Sequence, residues 1–527
     1  MTDLSANSGA ALDLHTTAGK LADLHRRLDQ AQDPGSERAK ARRAERGLPS
    51  ARQRMHMLFD EGTFVEMDQL AKTPGDPKNP IGDGVVIGYG KVDGRPVAAF
   101  SHDQTVAGGT VGEMFGRKVV KLYDFAATAG MPVVGINDSG GARIQDAATS
   151  LAWYAELGRH QDGLCGMVPQ ISMILGKCVG GAVYAPANTD VLVGVEDQAY
   201  MFVTGPEVLR PVTGETTSAE DLGGAVRQAT WGNLHHVAKD EKAAFDWVKR
   251  YLSFMPTTSH QRPPVVNPGL EPELTPSDLE LETIIPDSDN AGYDIHDVIL
   301  RVFDDGDFLE YAELWAQNLV CGFARVDGSP VGVVANQPMF MAGTLDTQAS
   351  EKAARFVRLC NGFNIPLVFL VDVPGILPGL EEERIGTIRR SGKFIYAYVE
   401  AAVPKVTIVL RKAYGGAWAV MGSKQLGADF SFAWPTARLA VMGAESAAAI
   451  IKRREIEEAG ENGPAIRQAF IDFYNQFMAT PWLSAERGYI DGVIEPKDTR
   501  LLIRKCLSQL QDKELQRAPR RSYLMPI

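Results

Sequence analysis

At 527 residues the chain is too long for one ordinary core and fits two large domains, while 45% hydrophobic and 23% charged residues are those of a soluble globular protein. The formal net charge of −12 argues against a nucleic-acid binder, which needs a basic face. Five scattered cysteines (Cys165, Cys178, Cys321, Cys360, Cys506) form no CxxC pair, and neither a signal-peptide pattern nor a long apolar run occurs. A zinc ribbon, a disulfide framework, export and a membrane span are thereby disfavoured, and a reducing cytoplasm is expected.

In chain order, residues 1–12 are small and polar and read as disordered. Leu21, Leu24 and Leu28 mark an amphipathic helix from Thr16, ended by Asp33-Pro34-Gly35. Residues 37–54 then carry Arg38, Lys40, Arg42, Arg43, Arg46, Arg52 and Arg54 against only Glu37 and Glu45. In an acidic protein such a run is either a solvated helix face or an island for a polyanion, to which arginine suits bidentate contacts.

The rest of the chain repeats itself. Residues 94–141 match 328–375 at a constant offset of 234: Gly94, Pro96, Gly109, Pro132, Asp138 and Gly141 against Gly328, Pro330, Gly343, Pro366, Asp372 and Gly375. Upstream, residues 59–66 pair with 303–310 at offset 244; downstream, residues 177–182 pair with 412–417 at offset 235. Each copy reads strand, strand, Gly-rich turn, helix, apolar strand, turn. Strands are expected around 97–100 and 132–137, with counterparts at 331–334 and 366–371; helices are expected over 113–129 and 350–362. Apolar strands alternating with helices indicate α/β units around a mostly parallel sheet. The Pro-rich run 260–269 is the expected linker, dividing the chain into domains 1–265 and 266–527.

Asn137-Asp138-Ser139-Gly140-Gly141 invites a serine-hydrolase reading, but the second copy, Val371-Asp372-Val373-Pro374-Gly375, has no serine. The shared content is the aspartate and the turn. Residues 416–424 end in Gly-Ser-Lys yet fail the phosphate-loop spacing. The paired Gly180-Gly181-Ala182 and Gly415-Gly416-Ala417 are the better site candidates. Two glycines opening a helix after a strand present bare N–H groups that can hold an oxyanion, although close helix–strand packing also asks for glycine.

Residues 137–145 (NDSGGARIQ), 201–215 (MFVTGPEVLRPVTGE), 370–379 (LVDVPGILPG), 411–424 (RKAYGGAWAVMGSK) and 432–445 (FAWPTARLAVMGAE) resemble the carboxyltransferase β subunits of biotin-dependent acyl-CoA carboxylases, the propionyl-CoA carboxylase β family. The resemblance runs from about residue 15 to the C-terminus. It implies two tandem crotonase-like domains, the first on the acyl-CoA side and the second on the biotin side. It further implies a homohexamer built as a trimer of dimers, with the N-domain of one subunit facing the C-domain of another. The activity implied is transfer of a carboxyl group from carboxybiotin to the α-carbon of an acyl-CoA. The chain has no Ala-Met-Lys-Met motif, so biotin is expected on an α-subunit partner with biotin carboxylase and carrier domains, with no metal on this chain. By the same resemblance, Gly180 and Gly181 N–H groups serve the thioester and those of Gly416 and Ala417 serve biotin. Gly141, Ala142, Ala182 and Ala419 contact the acyl-CoA, and Gly375 and Gly415 border biotin; if the basic run binds the CoA phosphates, Arg42, Arg43 and Arg46 are its expected contacts. Relatives handling propionyl groups often carry Asp where this chain has Ala419, so medium or long acyl chains are expected. A propionyl- or acetyl-CoA carboxylase subunit, or the carboxyltransferase of a biotin-dependent decarboxylase, are the alternatives.

Overall fold

The computed structural model describes residues 13–75, 79–288, 291–515 and 524; the segment expected to be disordered, 1–12, lies outside them. Two compact units emerge, one of residues up to Arg227 with Val237–Lys249, the other of Gln228–His236 with everything from Arg250 onward. Residues 250–265, expected in the first domain, therefore pack with the second. The physical reason is aromatic: Tyr251 and Phe254 lie against Phe323 at ring-centroid distances of 5.7 and 5.9 Å.

Each unit holds one eight-stranded sheet of the same topology. In the first, β1 (Val65–Met67), β2 (Val85–Val92) and β3 (Arg95–His102) are antiparallel, and β4 (Val133–Ser139) continues parallel to β3. β5 (Gln170–Val179) follows beside β4, carrying both β6 (Val191–Val195) and β7 (Tyr200–Phe202) as parallel partners, and β8 (His236–Ala238) closes the order beside β6. The second unit repeats this with β9 (Leu309–Tyr311), β10 (Leu319–Val326), β11 (Ser329–Asn336), β12 (Leu367–Val373) and β13 (Lys405–Tyr414), then β14 (Phe430–Ala433), β15 (Arg438–Ala440) and β16 (Gly492–Val493). The strands run a few residues beyond the apolar segments that announce them in sequence.

Local chemistry explains the elements. The first hairpin turns through Asp93-Gly94 and its counterpart through Asp327-Gly328, all four with φ between 48° and 76°. Two consecutive positive φ values match the twist of the flanking strands, which is why Asp-Gly stands at both. Helices Glu113–Ala129 and Thr347–Gly362 cross from the hairpin to the next strand. The second starts on Asp346, whose side chain accepts the Ala349 N–H. One core joins Ile87, Ala98, Phe115, Leu122 and Val133; the other joins Val298, Val333, Leu370, Ile408 and Trp434.

The duplication extends to buried cations. Lys118 and Lys352, 234 residues apart, are almost wholly enclosed. Lys118 donates to the Gly82 and Val85 carbonyls, Lys352 to those of Trp315 and Leu319 at 2.8 and 2.7 Å. Burial holds Lys118 down to about 8. Removing either ammonium would take a buried donor from these carbonyls, at about 1–3 kcal/mol for each one left unmet.

Candidate active site

Strand β5 leaves the first sheet through Val179 and turns at Gly180, which sits at φ +60° and opens the helical turn Gly180–Val183. The first N–H groups of such a turn have no intrahelical acceptor. A Cβ on Gly181 would stand 3.1 Å from the Tyr154 ring, so the ring packs where only a glycine leaves room. Gly141 packs closer still: a Cβ there would lie 2.6 Å from the Val179 carbonyl, one residue before the turn. A brace holds this arrangement, since the Val111 N–H donates to the Gly141 carbonyl at 3.0 Å and Val111 bridges Ala142. Ala182 is buried behind the two glycines.

The second unit builds the same object. Gly415, at φ +61°, opens helix Gly415–Val420, with Gly416 exposed and Ala417 buried. The Leu345 N–H donates to the Gly375 carbonyl at 3.0 Å and Leu345 bridges Ile376, as Val111 does with Ala142. Space differs, because a Cβ on Gly416 would meet only Ile376 Cδ1 at 3.7 Å. Ala419 is partly buried in the same helix, after Trp418, whose Nε1 is enclosed with no hydrogen-bond partner among the described residues.

Both turns follow the same β-bulge. Between Asn137 and Ser139, β4 advances two residues while its partners on β5 advance four, from Ile174 to Cys178. Between Val371 and Val373 the partners run from Val409 to Ala413. The residue facing each bulge is the repeated aspartate. Asp372 accepts the Lys412 N–H at 3.0 Å and pairs with Arg411 Nε at 2.9 Å. Asp138 lies over Gly176 beside the Lys177 N–H and faces Arg54 Nη1 at 3.4 Å. Burial pushes its carboxyl above the usual range, opposed by the Arg54 charge. His102 Nδ1 accepts the Asp138 N–H at 3.4 Å, and Asn336 Oδ1 accepts that of Asp372 at 3.2 Å. Burial, reinforced by Arg54, pushes His102 down to about 3, so the imidazole is neutral.

Ser139 is fully buried and its Oγ accepts the Gly141 N–H at 3.1 Å. It closes the turn and presents no nucleophile to solvent.

The basic segment divides in two. Helix Glu37–Glu45 and the residues after it bring Arg42, Arg43 and Arg46 to a cavity of about 270 Å³ that also reaches Lys177 and His102. Arg43 Nη1 is buried there without a hydrogen-bond partner among the described residues. Helix Ala51–Leu58 turns Arg52 inward to Glu66 at 2.7 Å, and brings Arg54 to the floor of the same cavity beside Asp138, where it pairs with Glu241 at 2.7 Å. Sequence reasoning singled out Arg42, Arg43 and Arg46 and gave no role to Arg54, which lines the same cavity. Arg411 also went unread as a site residue, although it opens the second turn's motif.

A family model described as carboxyl transferase domain matches residues 42–524. The chain is 59% identical to the biotin-dependent long chain acyl-coenzyme A carboxylase beta4 subunit of Mycobacterium tuberculosis, over 98% of this chain and 99% of that one. It is 52% identical to the propionyl-CoA carboxylase beta chain of Saccharopolyspora erythraea over 95% of each. Among solved structures it is similar to transcarboxylase 12S, a hexamer assembly with methylmalonyl-coenzyme A and methylmalonic acid bound, at a TM-score of 0.93 and 43% identity, covering 97% of this chain and 99% of that one. With two tandem α/β sheets of crotonase-like type, the chain belongs to the carboxyl transferase family and is an enzyme that moves a carboxyl group to an acyl-CoA, the carboxyltransferase (β) component of an acyl-CoA carboxylase.

Proposed function

We propose that this chain carboxylates medium- or long-chain acyl-CoAs at the α-carbon, with the first unit holding the acyl-CoA and the second receiving biotin from an α-subunit partner. The observation that carries the reading is the pair of bare-backbone turns, each set behind the same bulge and each opening on glycine at positive φ.

The physical argument is one of matched oxyanions. A thioester losing its α-proton and a ureido group losing carboxylate both gather negative charge on a carbonyl oxygen. Fixed N–H donors stabilise that charge, each worth about 2.7–4 kcal/mol when removed. Gly180 and Gly181 offer such donors to the thioester; Gly416 and Ala417 offer them to the ureido carbonyl, with Gly375 and Gly415 shaping the approach. The open space above Gly416 suits a flat ring. Biotin supplies the carboxyl group and, after releasing it, a basic nitrogen, so the chain itself needs no side-chain base.

Arg42, Arg43 and Arg46 are the residues we assign to the CoA phosphates. The support is Arg43, which lines the cavity and whose Nη1 is buried with no acceptor among the described residues, in an otherwise acidic protein. Gly141, Ala142 and Ala182 line the thioester side. The assembly we propose is a homohexamer, the state of transcarboxylase 12S.

Chain length rests on Ala419, uncharged and small, and on the long-chain relative. Each CH₂ buried past it would contribute up to about 0.8 kcal/mol. The test is kcat/KM across acetyl-, propionyl-, butyryl-, octanoyl- and palmitoyl-CoA in the complete enzyme. The expected maximum lies at octanoyl or longer, and Ala419→Asp shifts it to short chains. A sharp wild-type preference for acetyl- or propionyl-CoA refutes the assignment.

A further inference from the structure

A β-bulge near a site re-aims the chain beyond it, and it leaves backbone groups outside the ladder that must find partners when buried. The bulge ahead of Gly180 covers residues 175–177, and its polar groups are met by side chains. The Leu175 carbonyl accepts from Arg54 Nη2 at 3.1 Å and Gln198 Nε2 at 2.8 Å. The Lys177 N–H lies beside the Asp138 carboxylate, which faces Arg54 Nη1. Arg54 is itself fixed by two bonds to Glu241, at 3.0 and 2.7 Å, and is 3% exposed. One guanidinium thus touches both the carbonyl and the aspartate that fix the bulge.

We propose that Arg54 is a positioning residue for the Gly180-Gly181 turn, acting through Asp138 and the Leu175 carbonyl, and that Arg411 takes the aspartate part of this role for the second turn. The proposal rests on the reading of the first turn as the thioester site. The duplication supports it independently. At offset 244 the counterpart of Arg54 is Val298, fully buried in the core, and at offset 235 the counterpart of Gly176 is Arg411. Where the helix lacks the guanidinium the strand supplies it, and where the strand has glycine the helix supplies it. A Cβ on Gly176 would stand 2.1 Å from Asp138 Oδ1, so the first copy leaves no room for a strand-borne arginine. Either way one guanidinium reaches the aspartate beside the bulge.

The experiment compares Arg54→Met, Arg54→Lys and Arg52→Met in the complete enzyme with its biotinylated partner. Arg52 is on the same helix in a partly buried pair with Glu66, away from Asp138. Expected for Arg54→Met is a kcat about 10- to 100-fold lower, short of outright donor deletion, with acyl-CoA KM within about threefold. Arg54→Lys, which keeps the charge without the fork, recovers part of kcat. Arg52→Met lowers Tm with kcat unchanged. A kcat loss in Arg52→Met that scales with its Tm loss as in Arg54→Met would overturn the proposal, since the role would then be plain stability. A raised acyl-CoA KM at unchanged kcat would overturn it in favour of direct phosphate binding. A lowered kcat accompanied by a raised KM for the biotinylated partner alone would uphold the positioning role and overturn the thioester assignment of this turn.

Discussion

In the first unit the charge facing the bulge aspartate arrives from helix Ala51–Leu58, whereas in the second it grows from the strand itself. Much around that charge is shared: the register jump, the aspartate, the brace from Val111 or Leu345, and the glycine at positive φ. The comparison teaches that duplication preserved a requirement rather than a residue. A buried bulge must have its N–H and C=O groups met, and two routes satisfy it. The Leu410 carbonyl, counterpart of Leu175, is met by Thr436 Oγ1 at 2.6 Å with no arginine involved. The units also differ in room, because Gly181 is pressed on a tyrosine ring while Gly416 is open.

The largest effect should come from putting side chains into the two turns. Gly181→Val and Gly416→Val each block approach to the bare N–H groups, and turnover should fall at least about 100-fold in both, the scale of one lost oxyanion donor. Their stabilities should part company. Gly181→Val must displace the Tyr154 ring and lower Tm, whereas Gly416→Val meets only the end of Ile376 and should leave Tm near wild type. Steady-state kinetics with differential scanning fluorimetry read both. Wild-type turnover in a folded Gly181→Val protein would remove the first turn from the site.

Next in size is the phosphate cavity, a feature built on Arg42, Arg43 and Arg46 in the first unit. Replacing all three with glutamine should raise acyl-CoA KM roughly tenfold at low salt, less at high ionic strength, with kcat held. An unchanged KM in low-salt buffer would return helix Glu37–Glu45 to a solvated face.

How much of this was legible depended on which residues the two copies kept. Glycine and aspartate at constant offsets disclosed the duplication, the hairpins and both turns, because few residues replace Gly at positive φ or an Asp facing a bulge. Arg54 was invisible for the opposite reason: its counterpart is an apolar valine, and no alignment of the halves pairs it with Arg411. Lys118 and Lys352 did align, yet a lysine on an amphipathic helix reads as solvent-facing until its ammonium is seen against carbonyls. The domain boundary was misplaced because Pro-rich composition marks a flexible-looking stretch, whereas the changeover is set by where Tyr251 and Phe254 pack.

The smallest effects concern protons, and they should run in opposite directions in the two units. Arg52 pairs with Glu66 in the first unit; at the same offset of 244, His296 pairs with Glu310 at 2.8 Å in the second. That hydrogen bond, aided by Asp294, raises His296 to about 9 from an ordinary 6.5. A raised folded value means the stabilisation is complete below pH 6.5 and drains away as pH climbs to about 9. His102 behaves in reverse. It is held neutral down to about 3, so the unfolded chain takes up the proton first, and stability is present above pH 6.5 and lost as pH falls below it. Converting each to its counterpart should therefore flatten one limb of the pH–stability curve. His102→Asn, which copies Asn336, should reduce the loss between pH 7.5 and pH 5 by roughly 2 kcal/mol, at 1.36 kcal/mol per unit below 6.5. His235, also buried and depressed, remains in both proteins and cancels from the difference. His296→Arg, which copies Arg52, should flatten the alkaline limb by only about 1–3 °C of Tm between pH 6 and pH 9, since this pair is partly exposed and screened. Thermal unfolding of both variants across pH 5–9 reads the two limbs separately. Equal acid sensitivity in His102→Asn and wild type would show that the imidazole does titrate in the folded state, and would remove the neutral acceptor assigned to the Asp138 N–H.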